Sequence, residues 1–444
     1  MKRFFETITN IFKIEELRDR ILMTLGLILV YRLGSFVVLP GVDPIELERA
    51  SEGATGLAAL LNIFAGGAFS RASIFALGIM PYISASIIMQ LMGIVVPSVQ
   101  KMRKEGESGQ KKITQYTRFL TIAITAGQAP GYLATQVPES AIATPGFWSF
   151  MLPSIIILTS GTLFVMWLGE KITDRGIGNG ISLLIMIGII AGFPTAFLFE
   201  FDSQMGDTGG GLIIILLEIA FLFVVILFTV LLVQGVRRVP VNFARKISGV
   251  QQVKGARQYI PLKVNASGVM PIIFAQALMM LPITLVSFSQ SDDMAGWASL
   301  FTDISGFWYN FIFALMIIIF TYFYTAITVN PREMADDLKK NNGFIPGVRP
   351  GKDTANFLDN ILSRITLPGS VFLALIAILP AFAIKAGVAE NFALFYGGTS
   401  LLIIVGVVLD TLQQIESYLL MRHYDGLMKS GKLKGRPSAF GMAG

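Results

Sequence analysis

Ten long apolar stretches run through this chain of 444 residues, and basic residues are concentrated in every second gap between them. A stretch of about 20 apolar residues is long enough for an α-helix to cross a bilayer. With 53% hydrophobic and only 14% charged residues, the chain is more apolar than a soluble protein of its length. We therefore predict an all-α polytopic membrane protein with spans at about 21–39, 74–96, 118–136, 150–168, 180–199, 212–235, 268–288, 307–328, 369–388 and 394–412.

The distribution of positive charge predicts the orientation. Of the 35 Lys and Arg residues, all but four lie in the N-terminal segment, the even-numbered gaps or the C-terminal tail. Positive charge is retained in the cytoplasm during insertion. Both termini and the even-numbered gaps are thus predicted to be cytoplasmic, and the four exceptions are Arg32, Arg49, Arg71 and Lys385.

The order of the spans indicates two halves. Five spans precede the Gly-rich gap at 200–211 and five follow it, so a repeated second half would have to be inverted in the membrane. Inverted repeats place a pathway at their interface. The predicted segments are an N-terminal cytoplasmic amphipathic segment (1–20, or else a solvated leader), a first half (21–199), an external linker (200–211), a second half (212–412) and a cytoplasmic tail (413–444).

A short apolar segment at about 57–70 lies in the first external gap, directly before the second span. It is too short to cross a bilayer and suits a re-entrant segment. Irregular backbone is tolerated at membrane depth when it is buried in protein or lines a cavity. Two alternatives remain from the residues alone, a half-helix dipping into a pore mouth and a surface loop with an apolar patch.

Ionisable residues inside the spans are few. Arg32, Glu218 and Asp410 each lie near a span end, so snorkelling toward lipid headgroups is favoured over a functional role. Spans two, three, seven and eight contain no carboxylate. That pattern disfavours transport coupled to an ion gradient.

Two cytoplasmic gaps carry docking signals. Residues 237–263, within the gap at about 236–267, contain seven Lys and Arg residues and no Asp or Glu. Such charge suits RNA phosphates or an acidic protein surface, and anionic lipid is the alternative. The gap at 329–367 mixes both signs with Gly and Pro, which predicts a turn-rich docking loop.

Several functional classes are excluded by residues that the sequence lacks. There is no cysteine, and a single histidine, His423, cannot form a multi-histidine metal centre. The sequence contains no phosphate-binding loop motif and no hydrolase signature. We therefore expect no enzyme activity and no cofactor, and any driving energy must come from outside the chain.

In seven stretches the chain resembles the SecY family, the channel-forming subunits of the bacterial protein translocon. The stretches follow the family order and extend over nearly the whole chain. They are 66–86, 104–109, 167–170 with 175–182, 261–265, 330–333, 346–351 and 397–403.

The resemblance implies an hourglass pore between the halves, closed by an apolar ring and a plug helix. Spans two and seven would form a lateral gate, with Ser84 and Gln128 as polar residues near it. Residues 79/83 and 181/185 are i,i+4 pairs, so each pair shares one helix face. The implied ring is Ile79, Ile83, Ile181, Ile185, Ile273 and Ile403, and the plug segment includes Leu60, Leu61, Asn62, Ile63, Phe64, Gly66 and Gly67.

The resemblance also implies partners. These are SecE and SecG subunits, the SecA motor ATPase, the ribosome through its RNA, unfolded preproteins and the bilayer of the bacterial inner membrane. The predicted docking residues for motor or ribosome are Arg237, Arg238, Arg245, Lys246, Arg257 and Arg349.

The function predicted from the sequence is a passive channel that exports unfolded chains and releases apolar segments sideways into lipid. An apolar constriction expels water and blocks ions, yet can deform around a passing chain. The competing class is a small-solute secondary transporter with inverted repeats. The missing deep carboxylates and the excess of cytoplasmic charge disfavour it.

Overall fold

The structure is a computed structural model of the chain. The predicted surface helix before residue 14 and the end of the tail after 429 lie outside the described residues. The structure describes residues 14–51, 62, 65–206, 211–243, 247–248, 251–252, 257–276, 278–279 and 305–429.

The first half contains five long helices at the predicted spans, together with shorter ones. The residues between 65 and 79 form consecutive turns, so helix α3 begins at Met80 and not at the predicted residue 74. The helices are α1 (Glu15–Gly34), α2 (Pro44–Ser51), α3 (Met80–Val95), α4 (Pro97–Lys104), α5 (Glu107–Gln136), α6 (Leu152–Arg175) and α7 (Gly180–Met205), with a 3-10 turn at Glu139–Ala141 and a π turn at Phe147–Met151.

The second half is also mainly helical. Residues 270–276 and 278–279 are helical within the seventh predicted span, whose remainder lies outside the described residues. The other helices are α8 (Gly211–Gln234), α9 (Phe307–Thr328), α10 (Pro331–Lys340), α11 (Lys352–Lys385), α12 (Glu390–Ala393) and α13 (Gly398–Lys429).

The predicted class, an all-α polytopic membrane protein, is confirmed. Within the described residues, six helices are long and apolar enough to span a membrane, and they contain predicted spans four, five, six, eight, nine and ten. A seventh candidate is the pair α3 and α4, which meet at 100°. The bend lies at Val96, because a residue before proline avoids the α conformation.

Several helices extend past the predicted membrane boundaries. Helix α11 starts at Lys352, well before the predicted residue 369, and α13 continues to Lys429. The interpretation of 329–367 as a turn-rich loop was therefore wrong over α10 and the start of α11. Helical turns outside the hydrocarbon are stable when one of their faces packs on protein. Helix α10 packs in this way, because its Ala335 and Leu338 are buried.

A small sheet, which the sequence analysis did not foresee, joins the two predicted docking loops. Its strands are β1 (Val236–Phe243), β4 (Arg257–Lys263) and β5 (Gly343–Phe344), antiparallel in the order β4-β1-β5; β2 (Ile247–Ser248) and β3 (Gln251–Gln252) form a separate short pair. Val239 and Val241 alternate with exposed residues along β1 and pack on Leu338 and Leu358. We call this unit of sheet, α10 and the first turns of α11 the docking body.

A single apolar cluster crosses between the halves. It contains buried residues of α3, α6 and α7 together with Phe274, Phe392 and residues of α13. We call the side where α3 faces residues 270–279 and α9 the gate seam. The side where α7 faces α8, α12 and α13 is the hinge seam.

Candidate pore, gate and docking surface

The six ring isoleucines lie in one continuous apolar cluster. In the first half, Ile83 lies on α3, Ile79 lies in the turn directly before α3, and Ile181 and Ile185 lie on α7. In the second half, Ile273 lies within residues 270–276 and Ile403 lies on α13. Packed together, branched aliphatic side chains offer no polar group to water. This arrangement can exclude water and ions from the space between the halves. Ile79, Ile83, Ile185 and Ile403 are buried, and Ile181 and Ile273 are partly buried against them.

Close packing of α6 on α7 positions the isoleucines of α7. A Cβ atom at Gly180 would lie 2.0 Å from the carbonyl oxygen of Gly169, so only glycine permits this approach. The Asn179 side chain caps the helix by accepting a hydrogen bond from the Ser182 N–H at 3.3 Å. The cap and the glycine contact together set where α7 begins and which face carries Ile181 and Ile185.

The described end of the plug segment contacts helices α1 and α7. Gly66 and Gly67 adopt φ values of +63° and +84°, a left-handed conformation that favours glycine. The Arg32 guanidinium donates a hydrogen bond to the Gly66 carbonyl at 3.0 Å, and a Cβ atom at Gly66 would lie 3.0 Å from the Cα atom of Gly188 in α7. Arg32 therefore binds a protein carbonyl, which differs from the expected snorkelling.

Two further contacts hold the last residues of the plug segment. The Asn62 side chain accepts a hydrogen bond from the Ser70 N–H at 3.1 Å. The Tyr132 hydroxyl on α5 donates to the Phe69 carbonyl at 2.6 Å, and the two rings pack edge to face. Of the other predicted plug residues, Leu60, Leu61, Ile63 and Phe64 lie outside the described residues.

The two predicted gate residues are not brought together. The Ser84 hydroxyl donates to the Met80 carbonyl of its own helix at 3.2 Å, and Gln128 is exposed on α5. Within the described residues, one side-chain hydrogen bond crosses the gate seam: the Tyr324 hydroxyl of α9 donates to the Gln90 side-chain oxygen of α3 at 2.5 Å. Sequence reasoning missed this pair because the partners are 234 positions apart and neither belongs to a motif.

Aromatic rings surround that hydrogen bond. The Phe274 ring packs against Tyr324 with centroids 5.5 Å apart and against Phe320 at 5.7 Å. Phe274 is only 3% exposed. The gate seam is therefore closed by side-chain packing, with the Tyr324 hydrogen bond at its edge.

The hinge seam is held differently, by hydrogen bonds to the main chain. The Ala389 N–H donates to Glu200 Oε2 at 2.8 Å, and the Gly178 N–H donates to Gln414 Oε1 at 2.9 Å. Phe392 is 1% exposed and packs on Phe193. Main-chain bonds of this kind fix the relative position of helices more tightly than apolar contacts alone.

The predicted docking residues lie on the docking body where they are described. Arg237 and Arg238 are exposed on β1, and Arg257 begins β4 opposite Asn242. Exposed guanidinium groups on a sheet are available to phosphate or carboxylate. Arg245 and Lys246 lie outside the described residues.

Arg349 occupies a restrained turn before α11. Gly347 and Gly351, on either side of it, have φ values of +84° and +102°. Its carbonyl accepts a hydrogen bond from the Thr354 hydroxyl at 2.8 Å, and its side chain is exposed. The backbone is thus fixed while the guanidinium faces outward.

Comparison with known proteins identifies the family. A family model described as SecY matches residues 73–412. The chain is 45% identical over 435 residues to the protein translocase subunit SecY of Streptomyces scabiei, covering 94% of this chain and 98% of that protein. The chain belongs to the SecY family.

Two further similarities agree with this family. The protein translocase subunit SecY of Escherichia coli strain K12 is 41% identical over 430 residues, covering 95% of this chain and 96% of that protein. Among solved structures, that of a protein-conducting channel aligns with a TM-score of 0.65 and 18% identity, covering 90% of this chain and 92% of that chain. The structural alignment shows that this SecY-family chain shares the fold of that channel.

Proposed function

We propose that the chain is the pore subunit of a protein-conducting channel, which moves unfolded preproteins across the bacterial inner membrane. The observation that carries the proposal is the convergence of six isoleucines from both halves into one apolar cluster. An apolar constriction keeps water and ions out at rest and deforms around an extended chain. Membership of the SecY family supports the same function.

The plug segment closes the channel from the external side. Its described end is held by Arg32 and lies against Gly188, within the same helix that carries Ile181 and Ile185. In the described residues, two side-chain hydrogen bonds tie the segment to the helices, from Arg32 to the Gly66 carbonyl and from Tyr132 to the Phe69 carbonyl. The segment can leave at modest cost, since such a bond contributes about 0.5–1.5 kcal/mol, or up to about 3 when one group is charged.

The gate seam releases apolar segments into lipid. A segment of about 20 apolar residues prefers hydrocarbon, whereas each charged residue at its centre disfavours insertion by ~2.5–3.5 kcal/mol. A seam closed by packed side chains can open toward lipid without breaking main-chain hydrogen bonds. The channel therefore sorts segments by their own partition free energy.

The energy for transport comes from partners. SecA or a translating ribosome binds the docking body, while SecE clamps the two halves and SecG binds at the periphery. The exposed guanidinium groups of Arg237, Arg238 and Arg349 support such binding, because each can form paired hydrogen bonds with phosphate or carboxylate. A small-solute transporter would have no use for this surface and is not favoured.

Single-channel recording on reconstituted protein tests the ring and the plug. We expect Ile83→Ser with Ile185→Ser to conduct ions at rest, since hydroxyl groups would wet the constriction. The matched control is Ile87→Ser with Ile189→Ser, which changes buried residues one helical turn further along α3 and α7. Deleting residues 58–66 should also produce spontaneous openings. A ring variant as silent as the parent, or a control that conducts equally, would show that the ring assignment is wrong.

Export assays with inverted vesicles test the docking body. Arg349→Glu should abolish ATP-driven export while membrane insertion and assembly with SecE persist, because loss of one partner in a charged docking pair costs about 2–5 kcal/mol. Reversing Arg237 and Arg238 should weaken ribosome binding, with a steep salt dependence. The control is Lys385→Glu, an exposed residue on the opposite predicted side. Normal export by Arg349→Glu vesicles would remove the support for motor docking there.

A further inference from the structure

A buried acidic cluster lies at the hinge seam, and neither the sequence motifs nor the channel function explains it. Glu200 and Gln204 come from α7, Glu218 from α8, and Tyr396 from the segment before α13. Their exposed fractions are 1%, 8%, 6% and 1%, respectively. Four polar side chains, including two carboxyl groups, are thus withdrawn from solvent within one packed region.

Glu200 has the hydrogen bonds that a buried carboxylate needs. Its Oε1 accepts from the Gln204 amide at 2.8 Å, and its Oε2 accepts from the Ala389 N–H at 2.8 Å. Both donors are N–H groups, which stabilise negative charge on the oxygens they contact. Glu200 is therefore the member of the pair that is suited to being ionised.

Glu218 lacks equivalent donors. Its Oε1 receives only a long contact of 3.5 Å from the same Gln204 amide, and its Oε2 is buried without a hydrogen-bond partner in the described residues. The Tyr396 hydroxyl, whose ring stacks on Phe221 of α8, is also buried without a partner there. No ion pair links Glu200 or Glu218 to a basic residue within the part of the chain that the structure describes.

The two carboxyl groups share one donor, because the Gln204 amide contacts Glu200 Oε1 at 2.8 Å and Glu218 Oε1 at 3.5 Å. If both were ionised, the two negative charges would repel each other and neither would have a compensating cation. A proton on one of them removes this repulsion. Glu200 has two close N–H donors and Glu218 has none, so Glu218 is the one that holds the proton.

We infer that Glu218 is a proton-binding site, in which a neutral carboxyl group lies beside the buried Glu200 carboxylate. The titratable groups that face it are Glu200 from α7, through the shared Gln204 amide, and the Tyr396 phenol, whose ring stacks on Phe221 of α8. The bound proton allows α8 to pack on α7 at the point where Glu200 also holds the Ala389 N–H of the second half.

Loss of the proton would weaken the hinge seam. Phe392 and Tyr396, which flank this site, belong to the same apolar cluster as Ile403. The free-energy cost of a second buried negative charge there could be lowered only if solvent entered or the helices separated. The folded chain keeps the proton where the unfolded chain releases it, so raising the pH favours unfolding until Glu218 itself loses the proton.

Infrared spectroscopy and thermal unfolding of the purified full-length protein test the inference. At about pH 6.5, where ordinary carboxyl groups are ionised, the wild type should show the carbonyl band of one protonated carboxyl group, which disappears toward about pH 9 and is absent from Glu218→Gln. The unfolding temperature of the wild type should fall by at least about 3 °C more than that of Glu218→Gln over this range. Glu139→Gln, which neutralises an exposed carboxylate, is the control and should behave as the wild type.

Three results would overturn the inference. One is a wild-type spectrum without that band at the acidic end, a measurement that does not depend on whether any variant folds. Another is an identical pH profile for the wild type and Glu218→Gln. The third is a wild-type unfolding temperature that rises with added Na⁺ or Ca²⁺ at constant pH and loses this response in Glu218→Gln, since the site would then bind a metal cation.

Discussion

The gate seam and the hinge seam join the same two halves by different kinds of contact. At the hinge seam, main-chain N–H groups of Gly178 and Ala389 are held by side chains from the other half. At the gate seam, apolar rings pack around one side-chain hydrogen bond, from Tyr324 to Gln90. Main-chain bonds resist displacement, whereas apolar side chains can exchange protein contacts for lipid contacts at little cost. The contrast suits a molecule that opens on one side only.

The largest predicted effect compares a buried phenylalanine at each seam. Replacing Phe392 or Phe274 by Ala should lower the free energy of unfolding by about 3–5 kcal/mol, because each removes a buried ring. Denaturant titration in detergent measures this loss. Phe228→Ala, which removes an exposed ring of α8, is the control and should have little effect.

The same two variants should differ in channel activity. Phe274→Ala should raise resting conductance and accept weaker signal sequences, since it loosens the gate seam. Phe392→Ala should leave both properties near those of the parent at temperatures where it is folded. Equal opening by the two variants would contradict the assignment of separate roles to the seams.

A smaller effect is predicted for the hydrogen bond of the gate seam. Tyr324→Phe keeps the ring and removes the hydroxyl that binds Gln90, so stability should change by only about 0.5–1.5 kcal/mol. A change of that size in favour of the open state shifts the open-to-closed ratio by about 2- to 10-fold. Export of a preprotein with a weakened signal sequence measures the shift.

Tyr322→Phe provides the matched control for that experiment. Tyr322 lies on the same helix and is exposed, so the loss of its hydroxyl should leave export unchanged. Ser84→Ala should also be nearly silent, because the Ser84 hydroxyl binds its own helix. A stronger effect for Ser84→Ala than for Tyr324→Phe would restore Ser84 as the main polar residue of the gate.

Much of the fold could be predicted because its dominant interactions are local in sequence. Apolar stretches such as the one in α8 specify helices by length and composition alone. The docking sheet was not predicted, because only Val239 and Val241 alternate with exposed residues along β1 and so short a pattern does not identify a strand. Helix ends such as Lys352, where Thr354, Ala355 and Leu358 are buried, depend on packing outside the predicted span, which hydropathy does not report.

The residues of the candidate site also fall into a predictable and an unpredictable group. The ring isoleucines could be named only through the family resemblance, because a single isoleucine in an apolar helix carries no signal of its own. The Gln90–Tyr324 link and the Glu200–Ala389 link join residues 234 and 189 positions apart. Such pairings are set by tertiary packing, and one sequence contains no record of them.

Distance measurement across both seams tests the central claim most directly. The chain has no cysteine, so pairs introduced at exposed positions can carry spin labels without removal of native thiols. Ile88 of α3 with Ile319 of α9 reports on the gate seam, and Ile190 of α7 with Leu412 of α13 reports on the hinge seam. When a preprotein is arrested in the channel, the first distance should lengthen and the second should stay as it is at rest. A hinge distance that lengthens as much as the gate distance, or a gate distance that does not change, would contradict the account.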